Sequence, residues 1–224
     1  MTSFGIDEIA APPLITGFVG LVIEPDAGTI RKAYELASCV MPVDAPMVLG
    51  PGLLPHVTLT QCALRDTPRE RLAAFAARLG PTLRDRRIPL TAVSAVAGGF
   101  VFWCVDPASA ERALLQRAHE DALPVADGFL DPVANAAVVE GTARLTNDDR
   151  QLVENARRFG YAFIRDRYLP HITLGFDPRL APPSVPDRHE PHAMIATRVA
   201  LVRFGPHGRA TQILALPDRS SGAA

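Results

Sequence analysis

The sequence predicts an α+β fold built as a pseudo-two-fold duplication, in which one helix-and-strand unit occurs twice. The main observation is a repeated pentapeptide: Pro55-His56-Val57-Thr58-Leu59 returns as Pro170-His171-Ile172-Thr173-Leu174, 115 residues later in a chain of 224. The second is the order of elements: in each half a helix, a loop and the pentapeptide strand come in turn, and a hairpin turned by glycine closes the half. We therefore expect an internal duplication of one α+β unit.

The first half is predicted from strand composition and helix-boundary signals. Residues 14–23 are apolar and rich in β-branched side chains, as buried strands are. Thr67-Pro68-Arg69-Glu70 matches a capping box with proline at the first helical position, and Gly80-Pro81 is a stop signal. In order, we predict a strand at 14–23, a helix ending near residue 40, a loop at 41–54, a strand at 56–62, the capped helix, and a hairpin of 88–96 and 100–105.

The second half is predicted in the same way. Thr146 and Asp149 are capping residues for a helix that ends at Gly160. The further elements are a helix from 106 to about 123, a mixed segment at 124–145, a strand at 168–176, an irregular proline-rich segment at 177–192, and a hairpin of 194–204 and 209–216. Residues 1–13 are assigned as an N-terminal extension, 14–216 as one domain of two lobes, and 217–224 as a disordered tail.

Composition narrows the class of protein. A hydrophobic fraction of 48% with 21% charged residues is that of an ordinary globular protein. The net charge of −1 argues against a dedicated binder of long nucleic acid, although a local basic cleft is compatible with it. Three scattered cysteines, no basic leader and no apolar run long enough for a bilayer predict a cytoplasmic protein without a membrane partner, with a monomer as the default.

Strand geometry predicts what the repeated pentapeptide presents. Side chains alternate between the two faces of a strand, so His56 and Thr58 point one way while Val57 and Leu59 point the other. The second copy follows the same rule. If the halves pack about a pseudo-two-fold axis, two imidazoles and two hydroxyls line a single cleft.

That set of groups is suited to reactions at a phosphodiester. Opening a 2′,3′-cyclic phosphate needs a base that activates water and an acid that protonates the departing ribose oxygen. Imidazole has an ordinary pKa near 6.5, so one ring can be neutral while the other is charged. Threonine hydroxyls can donate to phosphate oxygens, and no metal or other cofactor is needed.

A structural interpretation competes with this functional one. A lone histidine on a strand is usually structural, and one His-x-Thr triplet is weak support for a site. Two nearly identical copies, one in each half, favour the functional interpretation.

Both triplets, His56-Val57-Thr58 and His171-Ile172-Thr173, each followed by a hydrophobic residue, resemble the motifs of the two-histidine phosphoesterase superfamily, also called the 2′-5′ RNA ligase-like family. The order of elements is similar over residues 14–216. The resemblance implies a bilobal α+β fold with two antiparallel sheets, flanked by helices, around a central cleft.

The resemblance also implies roles for single residues. His56 and His171 would be the catalytic acid and base, and Thr58 and Thr173 would bind the phosphate. Known activities of the family are hydrolysis of 2′,3′-cyclic nucleotides, reversible 2′-5′ RNA ligation, cleavage of 2′-5′ oligoadenylate and trimming of RNA 3′ ends. The motif alone does not choose among them.

One departure narrows the substrate. Bacterial RNA ligase-like members often carry a basic residue soon after the second motif, whereas Gly175-Phe176-Asp177 follows here. We therefore expect a small cyclic nucleotide or a short RNA terminus as the partner. The alternative is a nucleotide- or RNA-binding protein on the same fold without catalysis, although intact copies of both motifs argue against it.

Other residues near the motifs are weaker candidates. Arg203 could bind phosphate or lie on a solvated edge. Tyr168 and Phe176 flank the second motif, but alternation places both on the face opposite His171, so we expect them in the core. His189 and His192 lie in the proline-rich segment without a third ligand, which makes a metal site there weak.

Overall fold

The computed structural model describes residues 6–96, 98–146, 148–180 and 188–215, and it confirms the α+β class. Within these residues there are five α-helices and nine strands. The helices are α1 (Ala27–Val40), α2 (Arg69–Leu83), α3 (Ala110–Ala122), α4 (Pro132–Thr146) and α5 (Arg150–Phe159). The strands are β1 (Glu8–Ala10), β2 (Leu14–Pro25), β3 (Met47–Val48), β4 (Val57–Pro68), β5 (Arg87–Val96), β6 (Phe100–Val105), β7 (His171–Phe176), β8 (Arg188–Phe204) and β9 (Ala210–Ala215).

The strands form two antiparallel halves with the same internal order. In the first half the motif strand β4 pairs with β2, β2 with β8, and β8 with β9. In the second half the motif strand β7 pairs with β6, β6 with β5, and β5 with β8. The two motif strands therefore hold equivalent positions, as an internal duplication predicts.

The two expected sheets are joined into one continuous network. The long strand β8 pairs with β5 through residues 188–195 and with β2 through residues 196–203. At the centre, β4 and β7 pair through Val57 and Ile172. Both halves of the sheet are thus tied together at the motif strands, which positions the site.

The main core lies on one face of this sheet. Helices α1, α2 and α3 contribute Leu36, Leu72 and Leu115, which pack on strand residues from both halves. Trp103 of β6 is fully buried there, and its indole N–H donates to the carbonyl of Glu190 at 3.0 Å. A smaller apolar cluster, which includes Val22, Val202 and Phe204, lies on the other face of the first half.

Several predicted boundaries are confirmed. Helix α1 ends at Val40, as predicted, and its first turn is capped by Asp26, which accepts from the backbone N–H groups of Gly28 and Thr29. Asp149 caps α5, and Gly160 ends it in the left-handed conformation at φ 71°. Thr146, also predicted as a capping residue, instead ends α4, where its hydroxyl donates to the Thr142 carbonyl. The hairpin of β5 and β6 turns at Gly98-Gly99, as predicted. At Gly99 a Cβ atom would lie 2.3 Å from the carbonyl oxygen of Asp177, so this turn requires glycine.

Helix α2 starts within one residue of the predicted position, but the predicted cap and the predicted end are wrong. Strand β4 includes the first two residues of the proposed capping box, Thr67 and Pro68, and the Thr67 hydroxyl donates to the Arg65 carbonyl instead of capping a helix. The helix also passes through Gly80-Pro81 and ends at Leu83. Pairing of β4 with β2 as far as Leu14 outweighs the local capping signal.

Two segments were not predicted as regular structure. Residues 132–146 form α4, whose alanine- and valine-rich sequence lacks the usual alternation of polar and apolar faces. Strand β8 starts at Arg188, so His189 and His192 lie in a strand paired with β5 and not in a loop. The His192 ring lies 5.4 Å from Trp103 and its Nε2 is 2.9 Å from the Thr29 hydroxyl.

The ends of the chain are described in part. Within the assigned N-terminal extension, β1 adds a parallel strand to β9. The predicted tail, 217–224, lies outside the described residues. No helix in the described part of the chain is long and apolar enough to cross a bilayer.

Candidate functional site

The two pentapeptides meet at their central residues. Val57 pairs with Ile172 in antiparallel register, and both side chains are fully buried in the main core. Because side chains alternate along a strand, the histidine and threonine of each triplet emerge on the opposite face of the sheet. We call this the site face.

The register of that pair decides how the four polar side chains are arranged. It places His56 opposite Thr173 and Thr58 opposite His171. Each imidazole is therefore next to the threonine of its own strand and across from the threonine of the other. The structure brings together all four residues that the sequence predicted for the site.

Each motif strand also carries a β-bulge at the same position. The pairing of β4 with β2 skips Leu59, and the pairing of β7 with β6 skips Leu174. A bulge shifts the alternation of side chains by one residue. The fifth residue after each histidine, Gln61 in β4 and Phe176 in β7, consequently turns onto the site face.

The bulge at Leu174 overturns one prediction. Phe176 was expected in the core, but it lies on the site face opposite Phe100 and is only half-buried. Its ring centroid is 4.8 Å from that of Phe100. The bulge depends on pairing with β6, so strict alternation along the sequence gave the wrong face.

Both histidine rings are oriented by the same local hydrogen bond. His56 Nδ1 lies 2.7 Å from the carbonyl oxygen of Leu54, and His171 Nδ1 lies 2.6 Å from that of Leu169. A carbonyl only accepts, so Nδ1 carries the proton in each ring. Nε2 then holds the lone pair of each neutral imidazole and is the atom available to a substrate.

Aromatic rings pack against both imidazoles. Phe102 of β6 stacks on His171 with ring centroids 3.5 Å apart and planes at 19°. Phe204 of β8 lies 5.4 Å from His56 in a tilted arrangement. Neither phenylalanine was identified from the sequence, because their contacts with the histidines arise only from strand pairing.

Burial sets the protonation of the pair. His56 is 8% exposed and His171 is half-buried, and loss of solvation lowers the pKa of each to about 4. The nearby His56 lowers the pKa of His171 further. Without a bound anion, both imidazoles are therefore neutral at neutral pH.

The threonine hydroxyls are available to a ligand. Thr58 and Thr173 are both half-buried on the site face. Across the described residues, neither side chain makes a hydrogen bond to another protein group. The site thus presents two hydroxyls and two ring nitrogens that are not bonded to other residues in the described part of the chain.

The remaining sequence candidates lie elsewhere or act structurally. Arg203 pairs with the core residue Val19, and its guanidinium donates to the carbonyl of Thr16 at 3.1 Å, so it does not reach the site face. Tyr168 is 2% exposed, which confirms its predicted burial. Its hydroxyl bonds to the first motif strand, a contact that the sequence did not reveal.

The acidic residue after the second motif is neutralised by a neighbour. Asp177 is fully buried and accepts from Arg179 Nε at 2.9 Å, and this guanidinium holds the pKa of the carboxyl below its usual range. Among the described residues, no three His, Cys, Asp or Glu side chains cluster as a metal site. The site groups are thus imidazoles and hydroxyls.

Comparison with known proteins identifies the fold. No family model and no curated protein sequence matches the chain. The solved structure of TT0787 from Thermus thermophilus is similar with a TM-score of 0.52 at 18% identity, covering 88% of this chain and 95% of that chain. E. coli LigT in complex with NADP+ has a TM-score of 0.51 at 16% identity, covering 90% and 96%.

A third structure, of a phosphoesterase, has a TM-score of 0.50 at 17% identity and covers 90% of this chain and 97% of that one. All three similarities extend over nearly the whole chain and include both halves. The chain therefore has the fold that these three structures, among them LigT and a phosphoesterase, share.

Proposed function

We propose that this chain is a metal-independent phosphodiesterase that opens 2′,3′-cyclic phosphates of nucleotides or RNA ends. His56 and His171 act as general acid and base, and Thr58 and Thr173 bind the phosphate. Reversible 2′-5′ ligation would use the same groups in the opposite direction.

The observation that carries the proposal is the equivalent orientation of the two imidazoles. Each ring is held through Nδ1 by the carbonyl two residues before it, so each has an Nε2 on the same face of the sheet that no other described residue binds. Two histidines with a purely structural role would be expected to use Nε2 in hydrogen bonds within the protein, and so would the two neighbouring threonine hydroxyls. General acid–base catalysis needs this arrangement.

The proposed reaction uses each group once. One neutral imidazole takes a proton at Nε2 from water as the water oxygen bonds to phosphorus. The bond from phosphorus to one ribose oxygen breaks, and that oxygen takes the proton from Nε2 of the other ring, which enters the step as imidazolium. Each well-placed acid or base contributes roughly 10²–10⁴-fold to the rate.

The substrate supplies the charge that prepares the acid. With the pKa of each histidine lowered to about 4, the free protein binds few protons at these two rings at neutral pH. A phosphodiester anion next to an imidazole favours its protonated form and raises its pKa. Binding of the substrate and protonation of one histidine are therefore coupled.

Aromatic rings on the site face support a nucleotide as substrate. Phe102 stacks on His171, and its ring centroid lies 5.9 Å from that of Phe100. Phe100 contacts Phe176 in turn, and the His207 ring stacks on Phe176 with centroids 4.1 Å apart. Stacking of a base on an aromatic ring contributes roughly 1–3 kcal/mol. The LigT structure that shares this fold was solved with NADP+, a nucleotide.

The test is hydrolysis of 2′,3′-cyclic AMP in EDTA by the wild type, His56→Ala and His171→Ala. We expect turnover that survives EDTA and falls by at least about 10²-fold in each variant. A wild type that binds the nucleotide but turns over neither it nor a short RNA with a cyclic end would instead favour the non-catalytic alternative.

A further inference from the structure

Two buried side chains hold the backbone of β4 just beyond the first histidine. The Tyr168 hydroxyl donates to the carbonyl oxygen of Thr58 at 2.8 Å. His119 Nδ1 lies 2.5 Å from the carbonyl oxygen of Leu59, the bulge residue. These contacts join positions 110 and 60 residues apart in the sequence.

The contacts occur where the motif strands separate. After the pair of Val57 with Ile172, β4 runs on with β2 while β7 runs on with β6. From Thr58 onward, β4 therefore has no backbone pairing with β7. At Thr58 and Leu59 the backbone carbonyls of β4 bond instead to the side chains of Tyr168 and His119.

Tyr168 also belongs to the approach to the second motif. The next residue, Leu169, provides the carbonyl that orients the ring of His171. The backbone carbonyl of Tyr168 itself accepts from the Arg112 guanidinium of α3. One residue therefore contacts the first motif through its hydroxyl and sits three positions before the second histidine.

One face of α3 holds this arrangement in place. Arg112, Gln116 and His119 recur at the spacing of a helix face, and each bonds to the segment before the second motif. Gln116 donates to the carbonyl of Arg165 at 2.8 Å, and the Arg165 N–H donates to His119 Nε2 at 3.1 Å. The rings of His119 and Tyr168 stack with centroids 4.0 Å apart and planes at 6°.

Both nitrogens of His119 are engaged in a way that defines its proton. Nδ1 donates to a carbonyl and Nε2 accepts from a backbone N–H, so the ring is the neutral Nδ1–H tautomer. Burial lowers the pKa of His119 and raises that of Tyr168 well above its usual value. Both groups therefore remain neutral donors at physiological pH.

We infer that Tyr168 and His119 are positioning residues, which set the first His-x-Thr motif at a fixed distance from the second. The inference rests on the proposed acid–base function of the two histidines. Neither residue lies on the site face, so both act through the backbone of Thr58 and Leu59. Since a displacement of about 1 Å in a catalytic group can cost about 10²-fold in rate, a small shift of this backbone is measurable.

The first test compares Tyr168→Phe with Tyr161→Phe. Both tyrosines are buried near His119, but within the described residues the Tyr161 hydroxyl bonds to neither motif. We expect Tyr168→Phe to lower kcat about 10-fold or more, with KM changed less than about 3-fold and the melting temperature near that of Tyr161→Phe. Equal kcat in the two variants would overturn the inference.

The second test asks whether a donor at position 119 is enough. His119→Asn places an amide N–H near the position of Nδ1, whereas His119→Leu has no donor. We expect Asn to keep at least about half of the wild-type kcat and Leu to lose about 10-fold, with both proteins folded. Equal losses in Asn and Leu would show that filling the space, and not the hydrogen bond, is what matters.

A readout without substrate separates this inference from the proposed function. The ring proton signals of His56 and His171 can be followed by NMR in the wild type and in the two tyrosine variants. We expect Tyr168→Phe to shift the His56 signals and Tyr161→Phe to leave them unchanged. Unchanged His56 signals in Tyr168→Phe overturn the inference even if the protein is an active phosphodiesterase, and shifted signals support it even if no substrate is turned over.

Discussion

Val57 pairs with Ile172, and in the described chain this is the single point at which the two motif strands join. Both are the central residue of a His-x-Thr triplet, so their antiparallel register places each histidine opposite the threonine of the other motif. The apolar pair is buried in the core and the four polar groups emerge on the other face. One backbone contact thus anchors the candidate site and ties together the two halves of the fold.

This arrangement predicts that the two threonines contribute in a similar way. Thr58→Val and Thr173→Val keep the shape of the side chain but remove the hydroxyl that would donate to a phosphate oxygen. We expect each to lower kcat/KM for 2′,3′-cyclic AMP by about 10²-fold, because a lost donor to a developing anion typically costs about 10²–10³. Thr58→Ser and Thr173→Ser retain the donor and should keep most of the activity.

Thr60→Val is the matched control and makes a prediction of its own. The Thr60 side chain is 1% exposed, and its hydroxyl has no hydrogen-bond partner among the described residues. A buried polar atom without a partner costs about 1–3 kcal/mol, so the valine should stabilise the protein by about 1 kcal/mol and leave kcat/KM unchanged. Denaturant unfolding would detect this, and a loss of stability would mean that the hydroxyl is bonded after all.

The lowered pKa values predict different pH profiles for kcat/KM and kcat. kcat/KM reports the free enzyme, in which the singly protonated pair becomes scarce above about pH 4 to 5, since both rings have a pKa of about 4. kcat reports the complex, in which the phosphate anion raises the pKa of the acid. We expect the alkaline limb of kcat/KM to lie at least about one pH unit below that of kcat.

The measurement is a set of steady-state assays on 2′,3′-cyclic AMP between about pH 4 and pH 9. If the alkaline limbs of kcat/KM and kcat coincided near pH 6.5, the two histidine rings would be as well solvated as in a peptide. His171→Ala leaves one imidazole and should remove one limb from both profiles.

The candidate site residues were predictable because they follow local rules. Repetition of the pentapeptide pointed to His56 and His171, and alternation along a strand placed each beside its threonine. The cap of α5 by Asp149 was predictable for the same reason, since a capping side chain bonds within three residues of itself.

The residues that the sequence did not reveal depend on long-range pairing. The bulge at Leu174 is defined by the register of β7 against β6, so nothing near Phe176 in sequence indicated its face. The sequence around Tyr168 predicts a core aromatic residue. The hydrogen bond from its hydroxyl to the Thr58 carbonyl forms only because the two halves of the chain pack together. Local composition predicts the chemical groups, whereas the partners that orient them come from tertiary structure.

Gly20 of β2 is a test of how closely the first histidine is packed. A Cβ atom at this position would lie 2.4 Å from Cε2 of Phe204 and 2.5 Å from the backbone carbonyl oxygen of Thr60. The carbonyl belongs to the motif strand and cannot move alone, and the Phe204 ring can move only by disturbing its packing on His56. Overpacking of this kind costs about 1–3 kcal/mol.

We therefore expect Gly20→Ala to lower the melting temperature by several degrees, at about 2–4 °C per kcal/mol for a chain of this size, and to reduce kcat. Gly50→Ala is the control, because a Cβ there meets no atom within 4 Å. Calorimetry would measure the melting temperature of both variants, and hydrolysis of 2′,3′-cyclic AMP would measure their kcat. If Gly20→Ala matched Gly50→Ala in melting temperature and in kcat, β2 and Phe204 would have room to shift. The packing of Phe204 would then not be what holds the His56 imidazole in place.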